Sequence, residues 1–234
     1  MTLVLGISTS TARGSVAVAG ASGLLAVVTH EVLEAHAERL FGLIDEALRE
    51  AGADRRAVGA VACDVGPGSF TGLRVGVASA AGITAALGVP GIGVGSLESM
   101  AHAALRDGAP GAGRVVVALD AKKGEVFLGV FDPAGASIEP ARHLARDAAA
   151  VEIERAASEP RARLAGAVIA ELVPALAADL AASGRLVRSR AADLPCAGSV
   201  ALVAHAWLSE KREFPPLLPV YVREPDAKPA APRA

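Results

Sequence analysis

A glycine-rich segment at residues 64–76 constrains this chain more than any other part of it. The segment reads DVGPGSFTGLRVG. It follows an apolar stretch, residues 58–65, that predicts a buried strand, and it leads into an Ala-rich stretch that predicts a helix ending near Leu87. Glycine reaches positive φ and tolerates the close approach of another backbone. We therefore predict a tight turn with positive φ at Gly68 and a helix N-capped by Ser69.

Two functions fit such a turn. Free N–H groups at the start of a helix can bind an anion, but most glycine-rich turns serve only the path of the backbone. The segment lacks the Gly-Lys-Ser/Thr of a P-loop and the glycine spacing of a dinucleotide-binding fingerprint. The residue types therefore favour a turn that only shapes the path of the backbone over a turn that binds an anion.

Composition excludes several classes of protein. The chain has 234 residues and a net charge of −2, and 3% of its residues are aromatic. Strong autonomous nucleic-acid binding needs a basic surface and aromatic platforms, so this composition argues against it. No uninterrupted apolar run reaches membrane-spanning length, and the N-terminus lacks signal-peptide features. We expect a cytoplasmic protein without membrane contact. The two cysteines show no metal-ligand or disulfide spacing.

Hydrophobic periodicity predicts the order βββαβαβα in the first half. The predicted elements are strands 3–9, 15–19 and 24–32, helix 35–51, strand 58–65, helix 70–87, strand 91–95 and helix 97–105. After a Gly/Pro linker at 108–113, two further strands, 115–119 and 125–131, are predicted to form a hairpin like the first one. The two halves of the sequence therefore look like a weak internal duplication. Helices follow near 147–156, 170–182 and 199–212, and the tail 225–234 is predicted to be disordered.

The string GPGSFTGLRVG resembles the signature of the bacterial TsaB (YeaZ) family, a subunit of the tRNA threonylcarbamoyladenosine-synthesis machinery. The signature residues are Gly66, Pro67, Gly68, Ser69, Phe70, Thr71, Gly72, Arg74 and Gly76. Four other stretches resemble the family in order along the chain: LVLGISTSTARGSVAVA at 3–19, HAERL running on to IDE at 36–46, DAKKGEV at 120–126 and PVYVR at 219–223. Residues 138–195 carry little family signal.

The resemblance implies a two-lobed α/β fold of the ASKHA type (actin/hexokinase/Hsp70-like), with ribonuclease-H-like lobes and a reduced second lobe. The first lobe is expected at residues 1–108, joined by the C-terminal helix 199–212, and the second at 109–198. In such folds the first hairpin turn of each lobe faces nucleotide phosphates. Fold alone does not give function.

Two degenerate phosphate-facing positions follow from the resemblance. The family usually carries Asp in an Asp-Thr-x-Thr arrangement where this chain has Ser8, and a hydroxyl lacks the negative charge that Mg²⁺ needs. Asp120 holds the equivalent position in the second lobe. A lone carboxylate makes a poor metal site, so a turn-forming role for Asp120, bonded to the hairpin backbone, is favoured.

Catalytic and metal-binding arrangements are not recognisable in the sequence. In the related transferase TsaD, two histidines four residues apart bind a metal; here His36 is followed at that spacing by Leu40. Ser69 does not lie in a nucleophile elbow, and no His/Asp partner can be assigned to it. We expect no metal site, no catalytic residue and no cofactor, with a nucleotide expected only at an interface with partners.

Small residues recur every four positions on the helix after the turn: Gly72, Gly76, Ala80 and Thr84. Such a stripe lets another helix approach closely, and that helix could belong to this chain or to a partner. The sequence hypothesis is a partner interface formed by His36, Leu40, Leu43, Gly72, Gly76 and Ala80.

The predicted function is therefore that of a non-catalytic subunit and dimerisation platform for the TsaD transferase, acting with the TsaE ATPase. It would meet tRNA only indirectly, through the complex, and would form a homodimer when alone. Two alternatives stay open: an independent ASKHA-type ATP-dependent small-molecule kinase or hydrolase, and a proteolytic regulator of the partner subunit. A kinase would need a second phosphate-facing carboxylate, and a protease would need a nucleophile.

Overall fold

Two five-stranded mixed sheets form the framework of the protein. The computed structural model describes residues 2–31, 36–108 and 113–223. The first sheet contains β1 (Leu3–Ser8), β2 (Gly14–Gly20), β3 (Gly23–His30), β4 (Val58–Gly66) and β5 (Gly91–Gly95), in the order β3-β2-β1-β4-β5. The second contains β6 (Val115–Lys122), β7 (Glu125–Phe131), β8 (Ser137–Ala145), β9 (Arg163–Ala165) and β10 (Leu186–Val187), in the order β10-β9-β6-β7-β8.

The two sheets repeat one topology. In each, the first strand pairs antiparallel with the second and parallel with the fourth. This repetition agrees with the predicted internal duplication. The parallel strands of the second sheet are short, because β9 has three residues and β10 has two. The second lobe is thus the reduced one, as expected.

Eight α-helices are described, besides a 3-10 helix at Arg55–Ala57. They are α1 (His36–Glu50), α2 (Phe70–Leu87), α3 (Ser96–Asp107), α4 (Arg146–Ala157), α5 (Ile169–Leu172), α6 (Pro174–Ala182), α7 (Arg190–Asp193) and α8 (Ala197–Ser209). The prediction of one helix at 170–182 was wrong. Pro174 has no N–H to continue the ladder, so α5 ends before it and α6 begins at it.

The sequence did not predict β8, β9, β10 or α7. Strand β8 is largely exposed and polar, and the other three elements have two to four residues each. Elements of this length bury too few apolar side chains to produce a readable period. The predicted disordered tail at 225–234 lies outside the described residues.

Helix α8, from the second half of the chain, packs on the first sheet, and helix α3, from the first half, packs mainly on the second. The apolar side chains of α8 form a core with strands of the first sheet, including Val4, Ala60 and Ile92. The apolar side chains of α3, such as Met100, lie mainly in a core with β6 and β7 of the second sheet. The predicted boundary at residue 108 assigns α3 to the first lobe, and it therefore separates this helix from the core that it helps to form.

Candidate functional site

The glycine-rich signature turn packs directly on the β1–β2 turn. The Ser69 N–H donates to the Ser10 carbonyl at 2.7 Å, and the Thr9 hydroxyl donates to the Gly72 carbonyl at 2.8 Å. A Cβ at Gly72 would collide with the Thr9 carbonyl oxygen. The turn thus uses the absence of a side chain to bring two backbones together, which is the geometric role that the residue chemistry favoured.

The N-cap prediction for α2 is confirmed. The Ser69 hydroxyl accepts from the Gly72 N–H at 3.3 Å, and the helix begins at Phe70. The prediction of positive φ at Gly68 was wrong: the residue with positive φ is Gly66, at 119°. Gly68 is required for a different reason, since a side chain there would collide with Ser10.

A buried carboxylate, Asp64, lies beneath the two turns at the end of β4. Its Oδ2 accepts from the Ser8 hydroxyl at 2.8 Å and from the Ser10 hydroxyl, and its Oδ1 accepts from the Thr9 N–H at 3.2 Å. Burial raises the pKa of Asp64, although these hydrogen bonds act in the opposite direction. These three donors come from the end of β1 and from the β1–β2 turn, so Asp64 fastens that turn to the neighbouring strand.

This arrangement corrects the expectation for Ser8. The sequence indicated that the first lobe had lost its carboxylate and that Ser8 would face phosphates. The side chain of Ser8 is instead fully buried, and a carboxylate lies beside it, supplied by Asp64 from the adjacent parallel strand. The sequence analysis missed Asp64 as the residue that holds the β1–β2 turn. Its signal was present: it is the only charged residue within an otherwise apolar strand, VGAVACDVG.

A buried arginine holds the other side of the β1–β2 turn. The guanidinium of Arg13 donates to the carbonyls of Arg190 at 2.5 Å and Leu194 at 2.7 Å. Burial lowers the pKa of Arg13. The side chain therefore ties the first hairpin to the start of α7 and to the connection between α7 and α8, and the sequence alone gave no indication of this contact.

The corresponding turn of the second lobe, between β6 and β7, is open to solvent. Asp120 accepts from the Lys122 N–H at 3.1 Å and from the Lys122 ammonium at 2.9 Å. Partial burial acts to raise the pKa of Asp120, but the hydrogen bonds and charge of Lys122, with the charge of Arg146, lower it on balance. The favoured turn-forming role for Asp120 is confirmed by its bond to the hairpin backbone.

The C-terminal segment, residues 214–223, connects these regions. The Val220 N–H donates to the Val65 carbonyl at 2.7 Å beside the signature turn. Arg74 donates to the Tyr221 hydroxyl at 3.1 Å, and Arg223 donates to the Ala121 carbonyl at 2.9 Å. The family-like PVYVR stretch therefore contacts both the signature turn and the second-lobe hairpin.

The predicted partner interface requires correction. Leu40, Leu43 and Ala80 are buried in the core beneath the first sheet. Gly72 and Gly76 are buried too, and a Cβ at Gly76 would collide with the Thr9 hydroxyl. The small-residue stripe lets α2 approach its own β1–β2 turn. Helix α1 begins at His36, whose side chain lies outside the described part of the structure.

A different face of the same two helices is exposed. On α2, Ala78, Ala81, Gly82 and Ala85 face solvent at i, i+3, i+4 and i+7. On α1, Phe41 is 58% exposed. An apolar groove of about 260 Å³ runs between the helices and is lined by Ile44, Leu48, Ile83 and Leu87 among others. We call this surface the α1–α2 face; it extends over Phe41, Ala78, Ala81, Gly82 and Ala85.

Helix α2 is apolar along most of its length. Of the helices that the structure describes, it is the one whose length and composition would allow it to cross a membrane. In the fold, the side of α2 that carries Leu73 and Val77 packs against the first sheet. Within the described ranges, no group of three His, Cys, Asp or Glu side chains is placed to hold a metal ion.

The chain resembles known proteins in sequence. The sequence model of one family, described as "TsaD: tRNA N6-adenosine threonylcarbamoyltransferase", matches residues 25–228. The chain belongs to this TsaD family. An uncharacterized protein from Mycobacterium tuberculosis is 33% identical over 205 residues, which cover 84% of this chain and 79% of that protein. The TsaB protein of Escherichia coli is 39% identical over 92 residues, which cover 39% of each chain.

Solved structures refine the relationship. YeaZ from Pseudomonas aeruginosa is 29% identical, covers 94% of this chain and 100% of its own, and superposes with a TM-score of 0.70. With the TsaB relatives, this similarity shows that the chain is TsaB/YeaZ-like. The protein EutJ from Carboxydothermus hydrogenoformans, 12% identical with a TM-score of 0.52, shares the fold alone. The two-lobed ASKHA fold class is confirmed.

Proposed function

We propose that the chain is a non-catalytic subunit of the machinery that synthesises threonylcarbamoyladenosine in tRNA. In this role it binds the TsaD transferase and, with the TsaE ATPase, holds it in a competent state in the cytoplasm. The TsaB relatives, which are named tRNA threonylcarbamoyladenosine biosynthesis protein TsaB, support the assignment to this pathway. We assign no chemical step to this chain.

The buried state of Asp64 supports a non-catalytic role. A carboxylate that organises Mg²⁺ and phosphates must present its oxygens to the ligand. Both oxygens of Asp64 are engaged by Ser8, Thr9 and Ser10, and the residue has no exposed surface. Asp120 is engaged by Lys122 and lies near Arg146. This observation favours a platform over an independent kinase or hydrolase.

The α1–α2 face carries the proposal of a partner interface. It combines an exposed aromatic side chain, an apolar groove and a row of small residues on an apolar helix. Exposed apolar patches of this kind mark protein contacts, and small residues let a second helix approach closely. We propose that helices of TsaD cover this face in the complex and that a second copy of the chain covers it when the chain is alone.

Copurification with TsaD tests the interface. We expect Ala81→Arg to weaken TsaD binding at least about tenfold, because a charged, bulky side chain replaces a small one in a close helix contact. The matched control is Ala148→Arg, also exposed but on α4. Affinity is measured by surface plasmon resonance, and thermal melting monitors the fold.

The same preparations give the functional readout. We expect Ala81→Arg to keep the melting temperature of the wild-type chain, to lose homodimerisation and to abolish tRNA modification by the reconstituted complex. The control variant should behave as wild type. Unchanged TsaD affinity of Ala81→Arg would refute the interface, and full modification activity of TsaD without this chain would refute the proposed function.

A further inference from the structure

Three side chains, two from the signature turn and one from the PVYVR stretch, form a stacked group on the surface. The Arg74 guanidinium lies over the Phe70 ring at 3.8 Å from its centroid, and the Phe70 and Tyr221 centroids are 5.0 Å apart. The Tyr221 hydroxyl accepts from Arg74. Phe70 is 40% exposed and Tyr221 is 42% exposed. Packing within the chain thus fixes this group while leaving much of both rings in contact with solvent.

The C-terminal segment connects the stacked group to the strand that leads into the exposed turn of the second lobe. Arg223 follows Tyr221 by two residues and contacts the Ala121 carbonyl at 2.9 Å. Two residues of chain span at most about 7 Å. The segment from Tyr221 to Arg223 therefore joins the stacked group to Ala121, the residue that precedes the turn lysines Lys122 and Lys123.

That turn holds two lysines with positive φ. Lys122 has φ 64° and Lys123 has φ 54°, and Gly124 continues the left-handed path at 78°. Positive φ at Lys123 and Gly124 is the usual geometry of a two-residue hairpin loop, whereas positive φ at Lys122 beside the loop is uncommon for a non-glycine residue. The Lys122 side chain is 81% exposed. Its ion pair with Asp120 is therefore solvent-exposed, and such pairs contribute little to the free energy of folding. A phosphate can replace that carboxylate at small cost.

We propose that Phe70, Arg74, Tyr221, Lys122 and Lys123 form a binding surface for a single-stranded RNA loop, which we call the aromatic–basic surface. Unpaired bases stack on exposed aromatic rings, and arginine and lysine neutralise the phosphates beside them. Lysine is depleted at protein–protein interfaces, so its presence here favours RNA over a protein partner. The nearby carboxylate of Glu125 is already paired with His143 and Arg223.

The identity of the RNA rests on the proposed function: the loop belongs to the tRNA that the complex modifies. The surface is small and the chain carries a net charge of −2. Binding by the chain alone is therefore weak and confined to low salt, in keeping with the composition, while the complex adds the remaining contacts.

Cross-linking to the isolated full chain tests the surface without any partner. The probe is an oligouridine of about ten nucleotides carrying 4-thiouridine, a length within the range of single-stranded sites, used at low salt. We expect cross-links on peptides containing Phe70, Arg74 or Tyr221. Cross-links that map only elsewhere, or none at low salt, would overturn the inference whatever the outcome of the TsaD experiment.

Affinity measurements on the TsaD complex with a fluorescent tRNA transcript give the quantitative test. We expect Tyr221→Leu to weaken binding about tenfold, while Tyr221→Phe, which keeps the ring, stays within about twofold of wild type. The double variant Lys122→Asn, Lys123→Asn should also weaken binding and should reduce the salt slope by about 1.4, because two phosphate contacts are lost at about 0.7 each on a single strand. Asn tolerates the left-handed backbone.

The control is Lys211→Asn, since Lys211 is also an exposed lysine with positive φ, at 54°, but lies beyond α8. Its affinity and salt slope should match the wild type. Equal RNA affinity of Tyr221→Leu and wild type would refute the proposal. Loss of TsaD copurification by Tyr221→Leu would instead assign the surface to a protein contact, which also overturns it.

Discussion

The turns of the two lobe-opening hairpins share a position in the topology but differ in what surrounds them. The β1–β2 turn is buried under the signature turn, bonded to Asp64 and clamped by Arg13. The β6–β7 turn is exposed, and its carboxylate, Asp120, contacts lysine and arginine side chains near solvent. Duplicated topology has therefore produced one turn that belongs to a core and one that belongs to a surface.

The difference shows why similar polar residues have unlike consequences. A buried carboxylate must have its hydrogen bonds satisfied, because nothing in the interior replaces water. Removing it leaves the donors of the β1–β2 turn without acceptors. An exposed carboxylate loses little, because water takes its place.

The largest expected effect concerns the glycines of the signature turn. We expect Gly72→Ala to lower the free energy of unfolding by more than about 3 kcal/mol, because the added Cβ collides with the Thr9 backbone. In the exposed turn, Gly124→Ala should cost only about 1–2 kcal/mol, since its φ is positive but nothing lies nearby. Urea denaturation of each variant measures the difference.

The control for this pair is Gly82→Ala, on the same helix as Gly72 but with open space around it. That variant should gain up to about 1 kcal/mol from improved helix propensity. A stable Gly72→Ala protein would contradict the packing of the signature turn on the β1–β2 turn.

A smaller effect separates the two carboxylates. Asp64→Ala should destabilise the chain by about 2–3 kcal/mol, because buried donors from Ser8, Thr9 and Ser10 lose their acceptor. Asp120→Ala should cost less than about 1 kcal/mol. Thermal melting ranks the two variants, and equal losses of stability would remove the proposed contrast between a core turn and a surface turn.

The smallest effect is in the pH dependence of stability. Burial raises the pKa of Asp64 above its ordinary value of 3.8, so the folded chain retains this proton to higher pH than the unfolded chain does. Its contribution to stability is therefore fully present below pH 3.8 and is lost as the pH rises through the raised pKa. Asp64→Asn cannot titrate, and we expect it to remove this contribution.

The difference between wild type and Asp64→Asn in the free energy of unfolding, followed from pH 3 upward by urea denaturation, isolates this term. Asp120 provides the opposite sign, because its pKa is lowered on balance: Asp120→Asn should lose stability relative to wild type as the pH rises above that lowered pKa toward 3.8 and beyond. A wild-type curve parallel to that of Asp64→Asn would show that Asp64 does not titrate with folding.

Several features were readable from the sequence because they depend on neighbouring residues. Strand β5, helix α2 and strand β7 have the predicted bounds, since each has a clear apolar pattern bounded by glycine, proline or polar residues. The Ser69 cap and the turn-forming Asp120 follow from bonds within two or three residues. The family-like motifs gave the two-lobed fold.

Other features were decided only by the tertiary structure, because they depend on residues far apart in the chain. The pairing of Asp64 with Ser8 and Ser10 joins residues more than 50 positions apart, and Arg13 reaches carbonyls beyond residue 189. The small-residue stripe on α2 was visible in the sequence, but the sequence did not show which part of the structure the stripe faces. Periodicity shows that a helix face is suited to close approach, and only the packing of the β1–β2 turn against Gly72 and Gly76 determines what approaches it.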